Sequence, residues 1–370
     1  MKLNSLLLLG AVIFILTLEA CSYKHYIPQG DLLYDGATIT IAKPIKKSDS
    51  KEIKNASEKL IKPEPNSKIL GARVKLSLYN WGNKSKRKKG LRAIVKNKLG
   101  EPPVLYSTVN PAVTREVITA RLFNMGYFKA NVAFTTLQKD SLMKVNYIIQ
   151  PNSRFTIDRY DINAADEKLQ HLIAPTMKKS ALKVGKPYSL DDLKKERDRI
   201  DAVLKENGYY YFNADYLIYK IDRSAGNGKI RVQLFVKPDA PRKGLKVYTM
   251  DSIKVYLDSG YVQGSAPDTM EYYLNKVKLR LNKFFNPKPI SKYAFLKQGD
   301  IYKRENHQLT LNRLMGMAIF KYVNVDINET DSLKLITRIG LNPLPRKSLT
   351  LEVQAVSKSN NFIGDRKSVV

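Results

Sequence analysis

Residues 189–238 read SLDDLKKERDRIDAVLKENGYYYFNADYLIYKIDRSAGNGKIRVQLFVKP, and this stretch predicts a helix followed by two strands. Ser189 can cap the helix, and the carboxylates of Asp191 and Asp192 suit the positive end of its dipole. Gly208 marks the end of the helix, because only glycine enters the left-handed C-cap conformation at little cost. One helical face carries Leu190, Leu193, Arg197, Ile200 and Leu204.

The two strands that follow are indicated by alternating side chains. Tyr216, Ile218 and Lys220 fall on one side of the first strand, and Ile230 begins a second alternating run. A glycine-rich turn at 226–228 separates them and predicts a hairpin. The motif is therefore one helix, a Gly-aromatic signal and a pair of strands.

The same order occurs elsewhere, which predicts a repeat architecture. Residues 111–150, PAVTREVITARLFNMGYFKANVAFTTLQKDSLMKVNYIIQ, contain a helix that ends at Gly126 and two strands around a polar turn. A third copy begins at Asp300, but Ala318 stands where the other copies have glycine, so its helix must end differently. Each unit is expected to be β-α-α-β-β, with a lead-in strand and a lead-in helix before the motif.

The predicted lead-in segments are Arg154–Ile162 and Asp166–Lys178 for one unit, and Tyr248–Leu257 and Thr269–Phe285 for the next. Gly185-Lys186-Pro187-Tyr188 and Gly299-Asp300-Ile301-Tyr302 occupy matching places before the second helix. Asp35–Trp81 is interpreted as a divergent first copy. Its predicted elements are a strand at Ala37–Ala42, a helix near Ser50–Lys62 and a strand at Ala72–Tyr79.

The order of these motifs resembles the POTRA domains of the BamA/TamA outer-membrane assembly family. With the run Lys62–Gly71 and a lipobox-like Cys21, the chain is most similar to the lipoprotein TamA-like variant of Bacteroidetes. The resemblance implies an α+β fold of tandem POTRA domains in an elongated array. It also implies a membrane β-barrel after the array, of which Ser348–Val356 would be a truncated first strand.

The predicted organisation follows from these assignments. Its segments are a signal peptide at 1–20, a lipidated linker at 21–32, a divergent POTRA-like domain at 33–100, a short POTRA domain at 101–152, two further POTRA domains at 153–240 and 246–342, and a truncated barrel strand with a tail at 345–370. With one or two barrel strands at most, residues 346–370 are expected to be disordered or paired with another chain.

The start of the chain predicts export. Lys2 precedes an uncharged apolar stretch, Leu6–Leu18, and a spanning helix needs roughly 20 such residues, so a signal peptide is favoured. Ala20 precedes Cys21, the only cysteine, in a lipobox-like order from which Glu19 departs. A chance cysteine after an ordinary signal peptide is the alternative.

Composition excludes little by itself. With 43% hydrophobic and 26% charged residues, the 370-residue chain has a globular profile of two to four domains. The net charge of +30 would suit nucleic acid, but export argues against it. Basic runs such as 84–89 equally suit anionic lipid headgroups or a solvated surface.

No enzyme site, cofactor site or metal site is predicted. The three histidines, His25, His171 and His307, fall in separate predicted domains, so they assemble no zinc triad or nucleophile-base pair. The helix dipole explains the Asp191-Asp192 pair. Clustered tyrosines at 209–211 favour sheet packing over stacking on nucleic acid.

Function is expected at exposed sheet edges, because a small three-stranded sheet can take up a further strand through main-chain hydrogen bonds. The resemblance implies unfolded outer-membrane proteins as clients, or coupling to a periplasm-spanning partner, at the periplasmic face of the outer membrane. The candidate edges are Lys129–Thr135, Ala214–Lys220 and Tyr322–Ile327. Their named positions are Lys129, Val132, Ala214, Tyr216, Tyr322 and Val325.

Two other classes stay open. A lipid-anchored scaffold that binds an envelope protein or a polysaccharide would need only the repeats. A secreted nucleic-acid binder would rest on the basic charge alone, and its binding would fall steeply with salt for any polyanion.

Cys21 should become the acylated N-terminal residue of the mature chain, because the short apolar run and Ala20 present it at the cleavage point. One acyl chain binds membranes only weakly, so several are expected. Mass spectrometry of the N-terminal peptide checks this, with Cys21→Ala as the unmodified control. A retained signal peptide with an unmodified Cys21 would contradict it.

Overall fold

The computed structural model describes residues 27–69, 71–84, 89–163, 167–257, 269–330 and 333–344, and the backbone of 351–357 and 363–369. The helices are α1 (Lys47–Glu58), α2 (Val74–Asn83), α3 (Leu91–Ile94), α4 (Pro111–Asn124), α5 (Glu167–Ile173), α6 (Leu190–Lys205), α7 (Pro287–Tyr293) and α8 (Arg304–Met315). The strands are β1 (Leu33–Ile41), β2 (Asn131–Lys139), β3 (Leu142–Gln150), β4 (Thr156–Asn163), β5 (Leu217–Asp222), β6 (Lys229–Val236), β7 (Thr249–Leu257), β8 (Thr269–Leu274), β9 (Val277–Asn282), β10 (Phe320–Glu329), β11 (Lys334–Pro343), β12 (Leu351–Ser357) and β13 (Ile363–Val369).

The first module is one sheet in the order β1-β3-β2. Strand β1 pairs in parallel with β3, where Ile39 lies opposite Tyr147, and β2 pairs with β3 in the antiparallel sense. The prediction of separate domains at 33–100 and 101–152 is therefore wrong. The earlier segment supplies the lead-in strand of the same sheet, so residues 33–150 form a single module.

The strand predicted at Ala72–Tyr79 is also wrong, since α2 occupies most of this segment. Its apolar residues alternate over a short run, which periodicity alone cannot distinguish from a helix. In the structure Leu76 and Asn80, one helical turn apart, are buried. Segment 91–99 packs against this helix so closely that a Cβ on Gly82 would come within 2.6 Å of the Arg92 carbonyl oxygen.

The Pro65-Asn66-Ser67 motif connects this region to the lead-in to α4. The buried Asn66 side chain donates to the Pro102 carbonyl at 2.7 Å and accepts from the Val104 amide at 3.0 Å. Ser67 donates through both its amide and its hydroxyl to the Glu101 carboxylate. These bonds and the Lys75 ammonium hold the pKa of Glu101 low, at about 2. The motif thus replaces the hydrogen bonds that a neighbouring strand would otherwise supply.

The second module has the strand order β4-β6-β5, with α5 and α6 as its helices. Ser189 caps α6 as predicted, and its hydroxyl accepts from the Asp192 amide. The fully buried Glu196 accepts from Nε and Nη2 of Arg199 and from the Ala181 amide. Burial favours a raised pKa for Glu196, but the Arg199 guanidinium and the amide outweigh it and lower the pKa.

The third module has five strands in the order β10-β11-β7-β9-β8. A lead-in helix was predicted at Thr269–Phe285, but the structure has the hairpin β8–β9 there. Asn275 and Lys276 both have positive φ, which is the backbone of a two-residue hairpin turn. Residues 277–282 alternate valine and leucine with basic residues, and this period of two excludes a helical face. The lead-in helix is instead α7.

Strands β12 and β13 form a separate antiparallel pair, with Ala355 opposite Asp365. The tail expected to be disordered, or paired with another chain, is therefore paired with itself over these residues. The α+β class and the tandem modules are confirmed, and over the described part of the chain two helices precede the closing strand pair in the second and third modules and four in the first. No helix in the described residues is long and apolar enough to cross a bilayer.

The chain divides into two compact units, each with its own buried cluster. The first consists of residues up to 160 with 182–194 and 221–232, and Ile118, Leu122 and Tyr147 lie in its core. The second consists of 161–181, 195–220 and the residues from 233 onward, and Val255, Leu279 and Ile339 lie in its core. The division passes through the second module.

Ala318→Gly should stabilise the protein. The different helix end expected from the loss of glycine is not observed, because Ala318 has a φ of +55° and adopts the left-handed conformation of Gly126 and Gly208, where an L side chain costs about 1–2 kcal/mol. After the entropic cost of glycine, the free energy of unfolding should rise by up to about 1 kcal/mol. Thermal unfolding measures this. Ala120→Gly, in the middle of α4, is the control and should lower stability; a similar loss at Ala318 would contradict the assignment.

Candidate functional site: open sheet edges and the junctions between modules

Strands β2, β5 and β10 lie at one edge of their sheets. In the first two modules a loop segment covers the start of the lead-in strand at the opposite edge. The Tyr34 amide donates to the Val104 carbonyl at 2.9 Å, and the Ile157 amide donates to the Lys186 carbonyl at 2.8 Å. In the third module β9 pairs with β7 at this edge. The start of each lead-in strand is thus covered or paired, so β2, β5 and β10 are the open edges that the three modules share, and β8 is a further outer strand in the third module.

Only some of the predicted edge residues lie in these strands. Val132 is in β2, and Tyr322 and Val325 are in β10. Lys129 lies in the turn before β2. Ala214 and Tyr216 lie in a 3-10 turn, Ala214–Tyr216, that precedes β5. The prediction placed the start of β5 too early, because the Asn213 side chain accepts from the Asp215 amide at 2.9 Å and turns the chain there.

The three edges differ in charge. Strand β2, NVAFTTLQK, carries one charged residue, Lys139, at its end. Strand β5 is shorter and carries Lys220 and Asp222, and β10 carries a lysine and two carboxylates. Charged side chains discourage the addition of strands to an edge. The edge of β2 is therefore the most favourable of the three for main-chain pairing.

A groove of about 560 Å³ runs beside β2, between this strand and α4. Phe123 and Ala120 line its helical side, and Asn131 and Val132 line its strand side. The Phe123 ring is 45% exposed, so apolar surface is available next to unpaired backbone. A strand added to β2 could place every second side chain into this groove.

The predicted glycines lie at the junctions between modules. Gly126 has a φ of +93° and Gly208 a φ of +90°, both directly after their helices. The Gly126 carbonyl accepts from the Phe155 amide at 2.9 Å, and the Gly208 carbonyl accepts from the Tyr248 amide at 2.8 Å. Each glycine thus ends the last helix of one module and binds the residue that opens the next one.

The tetrads found in the sequence complete the same junctions. The Tyr188 amide donates to the Phe155 carbonyl at 2.9 Å, and the Tyr302 amide donates to the Tyr248 carbonyl at 3.0 Å. The Phe128 ring contacts the rings of Phe155 and Tyr188, with centroids 5.1 and 4.8 Å away. The sequence located the tetrads but not their partners, because the partner residues are 30 to 60 positions away and only the recurring tyrosine marked them.

The second junction is built the same way with tyrosines. Tyr210 and Tyr211 meet edge to face, and they contact Tyr302 and Tyr248 respectively, with centroids 4.8 and 5.2 Å away. Burial raises the pKa of Tyr248 to about 12, so its hydroxyl stays protonated at neutral pH. The Gly-aromatic motifs therefore hold neighbouring modules together. From the sequence, their tyrosines were expected only to pack within a sheet.

In the first module the amide that corresponds to those of Phe155 and Tyr248 has its hydrogen-bond acceptor within the module. The Leu32 amide donates to the Asp31 carboxylate at 2.8 Å, and the Ser107 hydroxyl donates to the same carboxylate at 2.5 Å. This bond from Ser107 lowers the pKa of Asp31. Tyr106 occupies the place that Tyr188 and Tyr302 have later, since its amide donates to the Leu32 carbonyl at 2.7 Å.

The remaining candidate residues form no chemical site in the described part of the chain. Cys21 and His25 lie outside the described residues. Burial lowers the pKa of His307, which favours its neutral form. Among the described residues no three histidine, cysteine or carboxylate side chains are grouped for a metal ion. Asp191 pairs with Arg121 at 3.2 Å, on the surface.

Replacing either junction glycine by valine should destabilise the protein by more than about 1 kcal/mol, because valine tolerates positive φ poorly. A Cβ on Gly208 would also lie 2.6 Å from methyl groups of Val247 and Ile301, and one on Gly126 would lie 2.9 Å from the Tyr188 carbonyl oxygen. Gly185 has a φ of +81° with no atom within 4 Å of that position, so Gly185→Val is the control for strain alone. Thermal unfolding measures all three; equal losses would exclude a contact contribution at the junctions.

No family model and no curated protein matches this chain. It is similar to a number of solved structures. BamA POTRA3-5 from Haemophilus influenzae is 13% identical, with 85% of this chain and 99% of that chain covered and a TM-score of 0.38. POTRA1-3 of the periplasmic domain of Omp85 from Anabaena is 15% identical, with 85% and 97% covered and a TM-score of 0.28. CdiB from Escherichia coli is 10% identical, with 55% and 29% covered and a TM-score of 0.19. These similarities concern the fold alone.

Proposed function

We propose that this protein takes part in outer-membrane protein assembly or translocation, and that it binds extended segments of unfolded barrel proteins by strand addition to β2. The observation that carries the proposal is the weakly charged edge of β2 beside an open groove with an exposed Phe123. Main-chain hydrogen bonds recognise a client regardless of its sequence, and the groove would favour one with alternating apolar side chains. Nascent barrel strands have that alternation.

The location belongs to the same proposal. Acylation at Cys21 would anchor the chain at the periplasmic face of the outer membrane, in the manner of a TamA-like lipoprotein, and a periplasm-spanning protein would be a second partner. The lipobox-like sequence and the short apolar run before it support this assignment. The modules would then act without enzymatic chemistry, as binding surfaces.

A lipid-anchored scaffold is the second candidate function. The junctions favour it, because two aromatic clusters and repeated main-chain hydrogen bonds hold consecutive modules together. A scaffold needs such fixed spacing but does not need an open edge. Client binding at β2 therefore separates the two functions.

Thr135→Lys with Leu137→Lys should weaken client binding about tenfold, since charged side chains on an edge strand discourage the addition of a further strand. Both residues are exposed on the same face of β2, and Leu137 is 67% exposed, so the fold should tolerate them. The probe is a synthetic peptide of alternating apolar and polar residues, followed by fluorescence anisotropy with the full chain.

The matched control is Val113→Lys with Val117→Lys, which adds the same charge to exposed positions on α4 of the same module. It should leave binding unchanged. Hydrogen exchange should show new protection of β2 amides when the peptide binds. Peptide binding without that protection, or an equal loss in both double variants, would refute strand addition at β2 and favour the scaffold.

A further inference from the structure

The outer face of the five-stranded sheet in the third module carries a row of basic side chains. Strand pairing places Arg338 opposite Lys254 and Lys254 opposite Lys278, so the three lie side by side on β11, β7 and β9. All three are exposed, while the alternate residues of these strands face the core. Asp326 and Tyr273 end the row on the two edge strands.

This arrangement opposes folding. Neighbouring strands are about 4.8 Å apart, and like charges directly opposite each other destabilise a sheet. Arg280 adds a fourth cation in the next row, between Tyr256 and Glu271. In the described part of the chain, no carboxylate forms an ion pair with Arg338, Lys254 or Lys278. The row thus presents concentrated positive charge to whatever lies over the sheet.

The basic row borders a groove of about 610 Å³. Its lining includes Lys254, Tyr256, Glu271, Tyr273, Lys278 and Arg280. The Tyr256 ring lies over Gly340 on β11, with its hydroxyl oxygen 3.4 Å from where a Cβ of that glycine would be. Since the ring takes the space above a residue without a side chain, the space above β9 stays open between the cations.

Exposed aromatic side chains lie on or beside the same face. Tyr273 is 58% exposed on β8, and Phe284 is 55% exposed directly after β9. Cations next to exposed aromatic and apolar groups suit the boundary between lipid headgroups and acyl chains. A soluble anion would use the cations but would gain nothing from Tyr273 and Phe284.

We propose that this face of the third module binds the phosphate-bearing headgroups of an anionic membrane surface. The basic row would contact phosphate oxygens, the groove would hold one headgroup, and Tyr273 and Phe284 would enter the interface. Headgroup phosphates would offset the repulsion among the cations, which explains why the sheet keeps them adjacent. The site is independent of client binding at β2, so either can fail without the other.

The test compares binding of the full chain to vesicles of phosphatidylcholine with and without phosphatidylglycerol. The ratio of the two affinities removes any contribution of an acyl anchor, which is the same for both. Lys254→Gln, Lys278→Gln and Arg280→Gln together should lower this ratio on the order of a hundredfold, because each basic residue near the surface contributes about 1 kcal/mol. Thermal unfolding should stay unchanged or rise, since like charges are removed.

Lys288→Gln, Lys292→Gln and Lys303→Gln form the matched control, because they remove the same charge from exposed positions on or beside the helices of the same module. They should change the ratio little. Glu271→Gln should raise the ratio, a gain that misfolding cannot produce. Equal losses in the two triple variants would overturn the proposal. It would also be overturned if inorganic diphosphate bound with the same residue dependence while vesicles did not.

Discussion

The hydrogen bond from the opening residue of one module to the left-handed residue that ends the previous helix is the constraint on which the tandem fold depends. At Gly126 and Gly208 the backbone turns so that the carbonyl meets the Phe155 and Tyr248 amides. Because β-carbons are excluded there by both φ and close contacts, the position fixes where the next strand begins. The aromatic rings that follow each glycine then cover the bond and exclude water from it.

That constraint also determines which side of each sheet can meet a partner. The segment that binds the junction, such as Lys186–Tyr188, lies against the start of the lead-in strand and satisfies its amides. A further strand is therefore directed to β2, β5 or β10, with β8 as an additional outer strand in the third module. Among these the paucity of charge on β2 and the groove beside it favour the first module, whereas the outer face of the third module is cationic.

Local signals in the sequence were sufficient for elements with a cap and a regular period. Helix α6, its Ser189 cap and the glycines with positive φ are examples. A helix was predicted as a strand at Ala72–Tyr79, and a strand pair was predicted as a helix at Thr269–Phe285. Both errors arose because burial in these segments depends on distant partners. The edge strands were located, but the start of β5 was missed because one Asn213 side chain bends the chain. The basic row could not be predicted from the sequence, since it exists only when three separate strands pair in one register.

The hairpin β8–β9 widens the sheet of the third module to five strands, whereas the sheets of the other two modules have three. It enters the chain between the lead-in strand and the lead-in helix, and β9 pairs with β7 in parallel while Val277, Leu279 and Leu281 join the core. The hairpin at this loop is thus part of the sheet without displacing the strands that define the module. The same loop in the first and second modules is a natural place to graft new strands, because the repeat tolerates growth in width there while the spacing between its junctions is preserved.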